Sequence, residues 1–232
     1  AWTYDVDTRK VQYLGEGETE VETFVVTSVD GTEHTVTITI TGVNDAAVIT
    51  GTDSGAVTED ETTPTLTETG TLTVTDVDGA DEAKFVAGNG APSAGALGSL
   101  TITETGTWSY SVDNSKVQYL GKDESKVEVF TVYGKDGSSH QVTITINGAD
   151  DQSTITVTGT DKDAGAVTED VDTNPAEAGV QLTVGGHLTI SDADQNDKPA
   201  FDTTKVGAPQ GALGSLTITE TGTWSYSVDN SK

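Results

Sequence analysis

The chain has 232 residues, of which 38 are acidic and 11 basic, so its formal net charge is −27. This charge repels phosphates and anionic lipid head groups, which excludes nucleic-acid binding and argues against direct membrane insertion. Cysteine is absent and no apolar run reaches about 18 residues, which excludes disulfides, thiol catalysis and a membrane-spanning helix.

The chain begins and ends inside copies of one sequence unit. The opening letters AWTYDVDTRKVQYL at 1–14 match 107–120, and GALGSLTITETGTWSYSVDNSK occurs at 95–116 and again at 211–232. There is also no initiator Met and no signal peptide. We therefore expect an internal fragment of a longer protein.

Three equivalent tryptophans set the period of the repeat. Trp2, Trp108 and Trp224 are about 110 residues apart, a spacing typical of a domain rather than of a solenoid turn. The sequence predicts a C-terminal half of one repeat, a complete repeat, and the N-terminal part of a further repeat, with bounds 1–47, 48–152 and 153–232.

Alternation of apolar and polar residues is the main pattern within a unit, and no segment has a helical period. The stretch SLTITETGTWSYSV predicts a hairpin that turns at Glu104–Gly106. Thr fills most outward positions, where a β-branched residue suits the solvated side of a sheet. The fold class predicted is all-β, with tandem Ig-like (cadherin-like) β-sandwich domains. The inward residues predicted for the hairpin are Leu100, Ile102, Trp108, Tyr110 and Val112.

Each tryptophan alternates in register with Tyr and Val, which is typical of core packing. The alternative is a platform on which a carbohydrate ring stacks. His34 and His140 occupy one equivalent strand position after a D-G turn, and His187 lies on an opening strand. Because no pairing of a base with a nucleophile is repeated, we interpret the three histidines as surface residues of strands.

The acidic residues concentrate where strands end and units meet. Asp76 and Asp78 have the parity of Leu72 and Val74, so the buried face of this strand ends in two carboxylates that point the same way. Such a pair costs free energy through like-charge repulsion unless it takes up a proton or binds a cation. Calcium takes six to eight oxygen ligands and would remove that cost. The alternative is that the acidic residues only keep the chain soluble. Comparable pairs are Asp192 with Asp194, Asn44 with Asp45, and Asp150 with Asp151.

The motifs GTLTVTDVDGADEAKFVA, GSLTITETGTWSYSVDNSKVQYLG and FTVYGKDGSSHQVTITINGADD resemble the VCBS repeat, and TITGVNDAAVI at 39–49 is close to its domain-closing sequence. VCBS repeats are cadherin-like Ig-type domains found in tandem in giant RTX adhesins of Gram-negative, often marine, bacteria. The resemblance implies type I secretion, a bacterial cell-surface location, and an extender role in adhesion and biofilm formation.

The similarity to cadherins further implies calcium ligands at two junctions. Two departures concern the linker, where the leading Asp of cadherins is Gly42 or Gly148 and the final Asn is Ala46 or Gln152. Turn carboxylates that hold no ion are the alternative for each position. The implied ligands of the first junction are Glu18, Asn44, Asp45, Asp76, Asp78 and Asp136. The implied ligands of the second junction are Glu59, Glu124, Asp150, Asp151, Asp192 and Asp194.

An EF-hand loop starting at Asp192 is rejected, because its sixth position is Asp197 instead of Gly and Thr203 replaces the bidentate Glu. Three functions are to be distinguished: a calcium-rigidified extender, a carbohydrate- or protein-binding module, and an enzyme. Near-identical repeats favour a spacer, and no unrepeated catalytic constellation is visible, so we predict that the chain is not an enzyme. The partners expected are neighbouring repeats of the same polypeptide.

The two partial repeats predict one further partner. Residues 153–232 of one molecule are expected to be completed by residues 1–47 of another, in a head-to-tail array. Closure of one molecule on itself is the alternative.

Overall fold

The computed structural model describes residues 1–60, 62–80, 82–169 and 179–230. They form two compact units, Ala1–Val117 with Asp123–Gly148, and Gln118–Lys122 with Ala149–Lys232. The fold is all-β, as predicted, and the described residues contain no helix with the length and apolarity needed to cross a membrane. The boundaries predicted for the repeats stay a prediction.

The first unit contains a separate hairpin and the strands of one β-sandwich. Short 3-10 turns follow two of the tryptophan segments, at Thr8–Lys10 and Asn114–Lys116. The strands of this unit are β1 (Thr19–Thr27), β2 (Glu33–Thr41), β3 (Val48–Gly51), β4 (Ser54–Thr58), β5 (Thr65–Thr75), β6 (Gly88–Asn89), β7 (Ala91–Pro92), β8 (Ser99–Ile102), β9 (Thr107–Asp113), β10 (Ser125–Tyr133) and β11 (Ser139–Asn147).

Two sheets form the sandwich of the complete repeat. One sheet has the order β3-β5-β9-β8-β6, and the other has the order β4-β11-β10-β7. Strand β4 runs parallel to β11, and the other pairings are antiparallel. The sheets meet where the rings of Tyr110 and Phe130 approach to 5.7 Å and where the Tyr110 hydroxyl donates to Glu128 Oε2 at 2.9 Å.

The predicted hairpin and its inward face are confirmed. Strands β8 and β9 pair in register, and Leu100, Trp108 and Tyr110 are each at most 1% exposed. The Trp108 indole N–H donates to Thr52 O at 2.7 Å, which satisfies its one polar atom inside the core. Gly106 closes the turn at φ +90°, and a Cβ there would stand 2.0 Å from Leu72 O, so only glycine fits.

Residues 1–47, the predicted closing half, contain the β1–β2 hairpin, the segment that precedes it and the linker residues 42–47. The nine residues of each strand pair antiparallel throughout. Trp2, the equivalent of Trp108, is 65% exposed, so the core interpretation does not hold for this copy. Residues 1–7 form no strand, although the Tyr4 ring lies 6.1 Å from the Phe24 ring and its hydroxyl donates to Glu22 Oε2.

The second unit repeats part of this architecture. Trp224 is 6% exposed and its indole N–H donates to Lys162 O at 2.6 Å, as that of Trp108 does to Thr52. Its strands are β12 (Thr154–Thr156), β13 (Gln181–His187), β14 (Thr189–Ser191), β15 (Ser215–Ile218) and β16 (Thr223–Asp229). They form a β12–β14 pair and a three-stranded sheet of order β13-β16-β15.

Candidate metal centre

The first acidic cluster begins where β5 ends at Thr75. Asp78 is only 7% exposed; its N–H donates to Asp76 Oδ1 at 2.9 Å, and its Oδ2 accepts the Asp45 N–H at 2.5 Å. The remaining oxygens, Asp76 Oδ2 and Asp78 Oδ1, are buried and have no hydrogen-bond partner among the described residues. A buried carboxylate oxygen that accepts no hydrogen bond raises the free energy of the folded state, so these two oxygens favour binding of a cation.

Asp136 joins this cluster from the turn between β10 and β11. Its Oδ2 accepts the Ala47 N–H at 2.9 Å, and its Oδ1 accepts the Ser138 N–H at 3.0 Å. Partial burial acts to raise the pKa of Asp136, but the hydrogen bonds from Ser138 and Ala47 outweigh it and lower the pKa. The carboxylate therefore stays ionised beside the linker, as a cation ligand must.

Glu82 is a member of the cluster that sequence reasoning missed. The pKa of Glu82 is raised, first by partial burial and then by nearby carboxylates, those of Asp78, Asp76, Asp136 and Glu18 in decreasing order. The sequence GADE at 79–82 could have indicated this residue, since it places a carboxylate four positions after Asp78. Because the residue does not lie on a strand, no strand periodicity predicts the direction of its side chain.

The linker residues and Glu18 hold the upstream side of the cluster. Asn44 is exposed, and its side-chain amide donates to Asp45 O at 2.9 Å. Glu18 is also exposed, and its Oε2 accepts the Gly15 N–H at 3.2 Å while its carbonyl accepts the Gly42 N–H at 2.8 Å. The structure thus brings Asp45, Asp76, Asp78 and Asp136 together, with Glu18 and Glu82 close enough to interact electrostatically.

The departure from cadherins at Gly42 has a steric cause. A Cβ on Gly42 would lie 2.2 Å from Leu14 O and 2.3 Å from Gly15 O. The backbone of the preceding segment occupies the space that an aspartate side chain would need. Gly42 therefore supplies close backbone approach in place of a ligand.

The second unit contains a cluster of the same design. Carboxylate oxygens of Asp150, Asp194 and Asp197 all lie within 4.8 Å of one another. Asp194 is 3% exposed; its Oδ2 accepts the Asp151 N–H at 3.0 Å, and its Oδ1 has no hydrogen-bond partner among the described residues. Asp194 and Asp151 are the repeat equivalents of Asp78 and Asp45. The hydrogen bond from the linker N–H to Oδ2 therefore recurs in both units, and so does the buried Oδ1 without a partner among the described residues.

Asp192 supports Asp194 from the first position of the D-x-D pair. Its Oδ1 accepts the Asp194 N–H at 3.1 Å, and its Oδ2 accepts the Ser153 hydroxyl at 2.6 Å. The Ser153 hydroxyl, followed by the Asp194 N–H, lowers the pKa of Asp192 and keeps it ionised. Asp197 was missed as a ligand because sequence reasoning used it only to reject an EF-hand loop.

Glu59 and Glu124 lie in the first unit, whereas the other four implied ligands of the second junction lie in the second unit. Glu59 follows β4, is 1% exposed, and donates its N–H to Asn147 O at 2.9 Å. Glu124 accepts the Gly148 N–H at its carbonyl, also at 2.9 Å. That they share an ion with the second unit stays a prediction.

The donors of both clusters fit a hard divalent cation. They are oxygens throughout. In the second cluster the carboxylates of three residues converge, and in the first cluster two buried carboxylate oxygens, on Asp76 and Asp78, receive no hydrogen bond from the described residues. Carboxylate sets of this kind suit Ca²⁺, whereas softer metals select sulfur or imidazole ligands. The residues present therefore pass the chemical test for calcium.

Part of the chain is similar to a known protein family. Residues 44–148 match the family model described as bacterial cadherin-like domain. No curated protein sequence matches the chain.

Among solved structures, cadherin domains 1–4 of protocadherin gamma B7 are 12% identical, with a TM-score of 0.42 and coverage of 91% of this chain and 58% of theirs. A Ca²⁺-stabilized, ice-binding adhesin of an Antarctic bacterium is 19% identical, with a TM-score of 0.28 and coverage of 92% and 49%. A 1.5-MDa bacterial ice-binding adhesin is 20% identical, with a TM-score of 0.27 and coverage of 93% and 65%.

This chain spans less than two thirds of each of these solved chains, and no ligand or partner follows from likenesses at these TM-scores. The family match is specific to the segment that contains the β-sandwich and the D-x-D pair of the first cluster. Over residues 44–148, somewhat less than half of the chain, the sequence is similar to the bacterial cadherin-like domain family.

Proposed function

We propose that this chain is a calcium-rigidified extender of a large secreted bacterial surface adhesin, which projects distal ligand-binding domains for cell adhesion and biofilm formation. Type I secretion and a cell-surface location belong to the same proposal. The observation that carries it is the recurrence of one orphaned buried oxygen, on Asp78 in one unit and on Asp194 in the other.

The first cluster would draw its ligands from both sides of the predicted repeat boundary. Asp45 lies near the end of the predicted closing half, residues 1–47, and Asp76 and Asp78 lie in the predicted complete repeat, residues 48–152. Hydrogen bonds from the linker backbone, such as Ala47 N–H to Asp136 Oδ2, join these two sides. The residues that would hold calcium here are Glu18, Asp45, Asp76, Asp78, Glu82 and Asp136.

When bound, calcium neutralises carboxylates that otherwise repel one another and ties the linker to the downstream repeat. The residues themselves hold the linker in place: Asp78 accepts the Asp45 N–H, and Asp136 accepts the Ala47 N–H. In the second unit Asp150, Asp194 and Asp197 would hold an ion, with Asp192 positioned beside them.

Mass action gives the scale of the effect. A ligand that binds only the folded state at 100 times its Kd stabilises it by about 2.7 kcal/mol per site. Extracellular calcium modules commonly have a Kd of about 0.1–1 mM, so millimolar calcium occupies them substantially. Each joint is then stiff in calcium and flexible without it.

Calcium titration followed by calorimetry and small-angle scattering tests the proposal. We expect a higher Tm and a larger maximum dimension in calcium than in EGTA, with both effects reduced in Asp78→Asn and in Asp194→Asn. Asp163→Asn, which removes an exposed carboxylate of the second unit, is the matched control and should respond as wild type. Equal Tm and equal dimension with and without calcium would overturn the proposal.

A further inference from the structure

The letters VQYLG occur twice, at 11–15 and 117–121, and each copy follows one of the two short 3-10 turns. The leucine of each copy, Leu14 or Leu120, is only 5% exposed and anchors its loop. The glycine that ends each copy is also buried. In both units this glycine lies close to a carboxylate side chain of the acidic cluster, so the VQYLG loops adjoin the candidate metal centres.

In the first unit, Gly15 lies so close to Glu82 that no side chain fits between them. A Cβ on Gly15 would stand 2.8 Å from Glu82 Oε1 and 3.6 Å from Asp78 Cβ. The first distance is well inside van der Waals contact, whereas the second is ordinary. Gly15 does not have a positive φ, so glycine is required at this position for space and not for backbone conformation.

In the second unit, the equivalent residue Gly121 makes a looser contact. A Cβ on Gly121 would lie 3.4 Å from Asp194 Cβ and Cγ and 3.6 Å from Asp194 Oδ2, which are ordinary van der Waals distances. The Tyr119 carbonyl of this loop accepts the Gln195 N–H at 3.0 Å, which ties the loop to the segment after the D-x-D pair. The second loop is therefore held in place, but it has room for a methyl group.

The position of Glu82 is occupied by a lysine in the second unit. The segments DVDGADE at 76–82 and DADQNDK at 192–198 align without a gap, so Lys198 is the equivalent of Glu82. Lys198 is exposed. Only the first unit thus has a carboxylate at this position, and only there does the glycine of the VQYLG loop face one so closely.

Glu82 stays beside the first cluster against electrostatic repulsion. Its pKa is raised first by partial burial and then by the carboxylates of Asp78, Asp76, Asp136 and Glu18. These like charges oppose any movement of the Glu82 carboxylate deeper into the cluster. A methyl group at position 15 would therefore displace this carboxylate toward solvent, away from the cluster.

We propose that Gly15 is a positioning residue of the first cluster, which admits Glu82 as a calcium ligand and thereby sets the calcium affinity of that cluster, whereas Gly121 has no such role. This inference rests on the proposed calcium function, but it concerns the affinity of one cluster and not the existence of the sites. Calcium affinity depends on the number of charged ligands, so the loop adjusts it without supplying a ligand of its own.

Calorimetric titration of the full chain with calcium chloride tests this inference in two backgrounds. Asp194→Asn leaves the first cluster to titrate, and Asp78→Asn leaves the second. In the first background Glu82→Gln should raise the Kd for calcium about tenfold, because one charged ligand is lost. Gly15→Ala should raise the Kd to a similar degree, although alanine keeps the N–H that Glu18 Oε2 accepts.

A double-mutant cycle separates positioning from a direct effect. Gly15→Ala combined with Glu82→Gln should bind calcium within about twofold of Glu82→Gln alone, because both changes remove the same interaction. In the second background, Gly121→Ala should leave the Kd unchanged. In EGTA, Gly15→Ala should melt at or slightly above the wild-type temperature, because displacement of Glu82 relieves repulsion and alanine restricts the unfolded chain.

Several results would overturn this inference and leave the calcium proposal intact. They are calcium binding by Gly15→Ala with an unchanged Kd, effects of Gly15→Ala and Glu82→Gln that add, and an equal loss of affinity in Gly121→Ala. A lower Tm of Gly15→Ala in EGTA would also do so, because it would show that the backbone moves instead of Glu82. A chain that binds no calcium in either background would instead refute the calcium proposal, and this inference with it.

Discussion

The N–H of Asp151 donates to Asp194 Oδ2 at 3.0 Å, so the linker that enters the second unit is held by the same carboxylate whose other oxygen is left without a partner. The pair Asp45 and Asp78 repeats this relationship in the first unit. One carboxylate thus fixes the linker through one oxygen and offers the other to a cation. The first member of each D-x-D pair, Asp76 or Asp192, accepts the N–H of the second member and so helps to hold that carboxylate in place.

Substitution of Glu82 should have opposite effects with and without calcium. Because the folded environment raises the pKa of Glu82, its ionised form opposes folding at neutral pH, and Glu82→Gln should raise the Tm in EGTA. In millimolar calcium the same variant lacks a ligand, so its Tm should lie below that of wild type. Calorimetry in both buffers measures this, with Glu16→Gln as an exposed acidic control; a Tm change of one sign in both buffers contradicts it.

Restoring the leading aspartate of the cadherin linker should destabilise this protein. In Gly42→Asp the new Cβ would stand 2.2 Å from Leu14 O, so the backbone must shift, at a cost of about 1–3 kcal/mol. Ala46→Asn restores the other cadherin letter at an exposed site and should stay within about 0.5 kcal/mol of wild type. Urea unfolding with and without calcium measures both, and a Gly42→Asp protein that binds calcium more tightly without loss of stability would refute the steric account.

Strand alternation was sufficient to predict the fold class and the β8–β9 hairpin, because period-two burial is a local property. It did not reveal the parallel pairing of β4 with β11, or strands as short as Ala91–Pro92, since both depend on contacts distant in sequence. At the candidate site, parity identified Asp76 and Asp78. It missed Glu82 and Asp197 because these residues stand in loops, where no period sets the direction of a side chain.

Equivalent tryptophans should differ in their contribution to stability. Trp108 is fully buried and hydrogen-bonded, so Trp108→Ala should cost about 3–5 kcal/mol of the free energy of unfolding. Trp2 is 65% exposed, so Trp2→Ala should change the stability of the monomer by less than about 0.5 kcal/mol. Denaturant titration of the two variants separates the two contributions; equal losses would contradict the difference in burial.

The turn after β4 gives a pH-dependent contribution that needs no metal. Asp60 accepts the N–H groups of Thr63 and Thr62, which lower the pKa of Asp60 to about 2 from an ordinary value of 3.8. A carboxylate with a depressed folded-state pKa stabilises the protein above its unfolded pKa, and the contribution disappears as the pH falls through the folded value. Asp60→Ala should therefore lower the Tm at pH 7 in EGTA, and the difference from wild type should shrink between about pH 4 and pH 2. Asp163→Ala, at an exposed carboxylate of the other unit, controls for net charge, and a difference for Asp60→Ala that stays constant down to pH 2 would show that these hydrogen bonds are not its source.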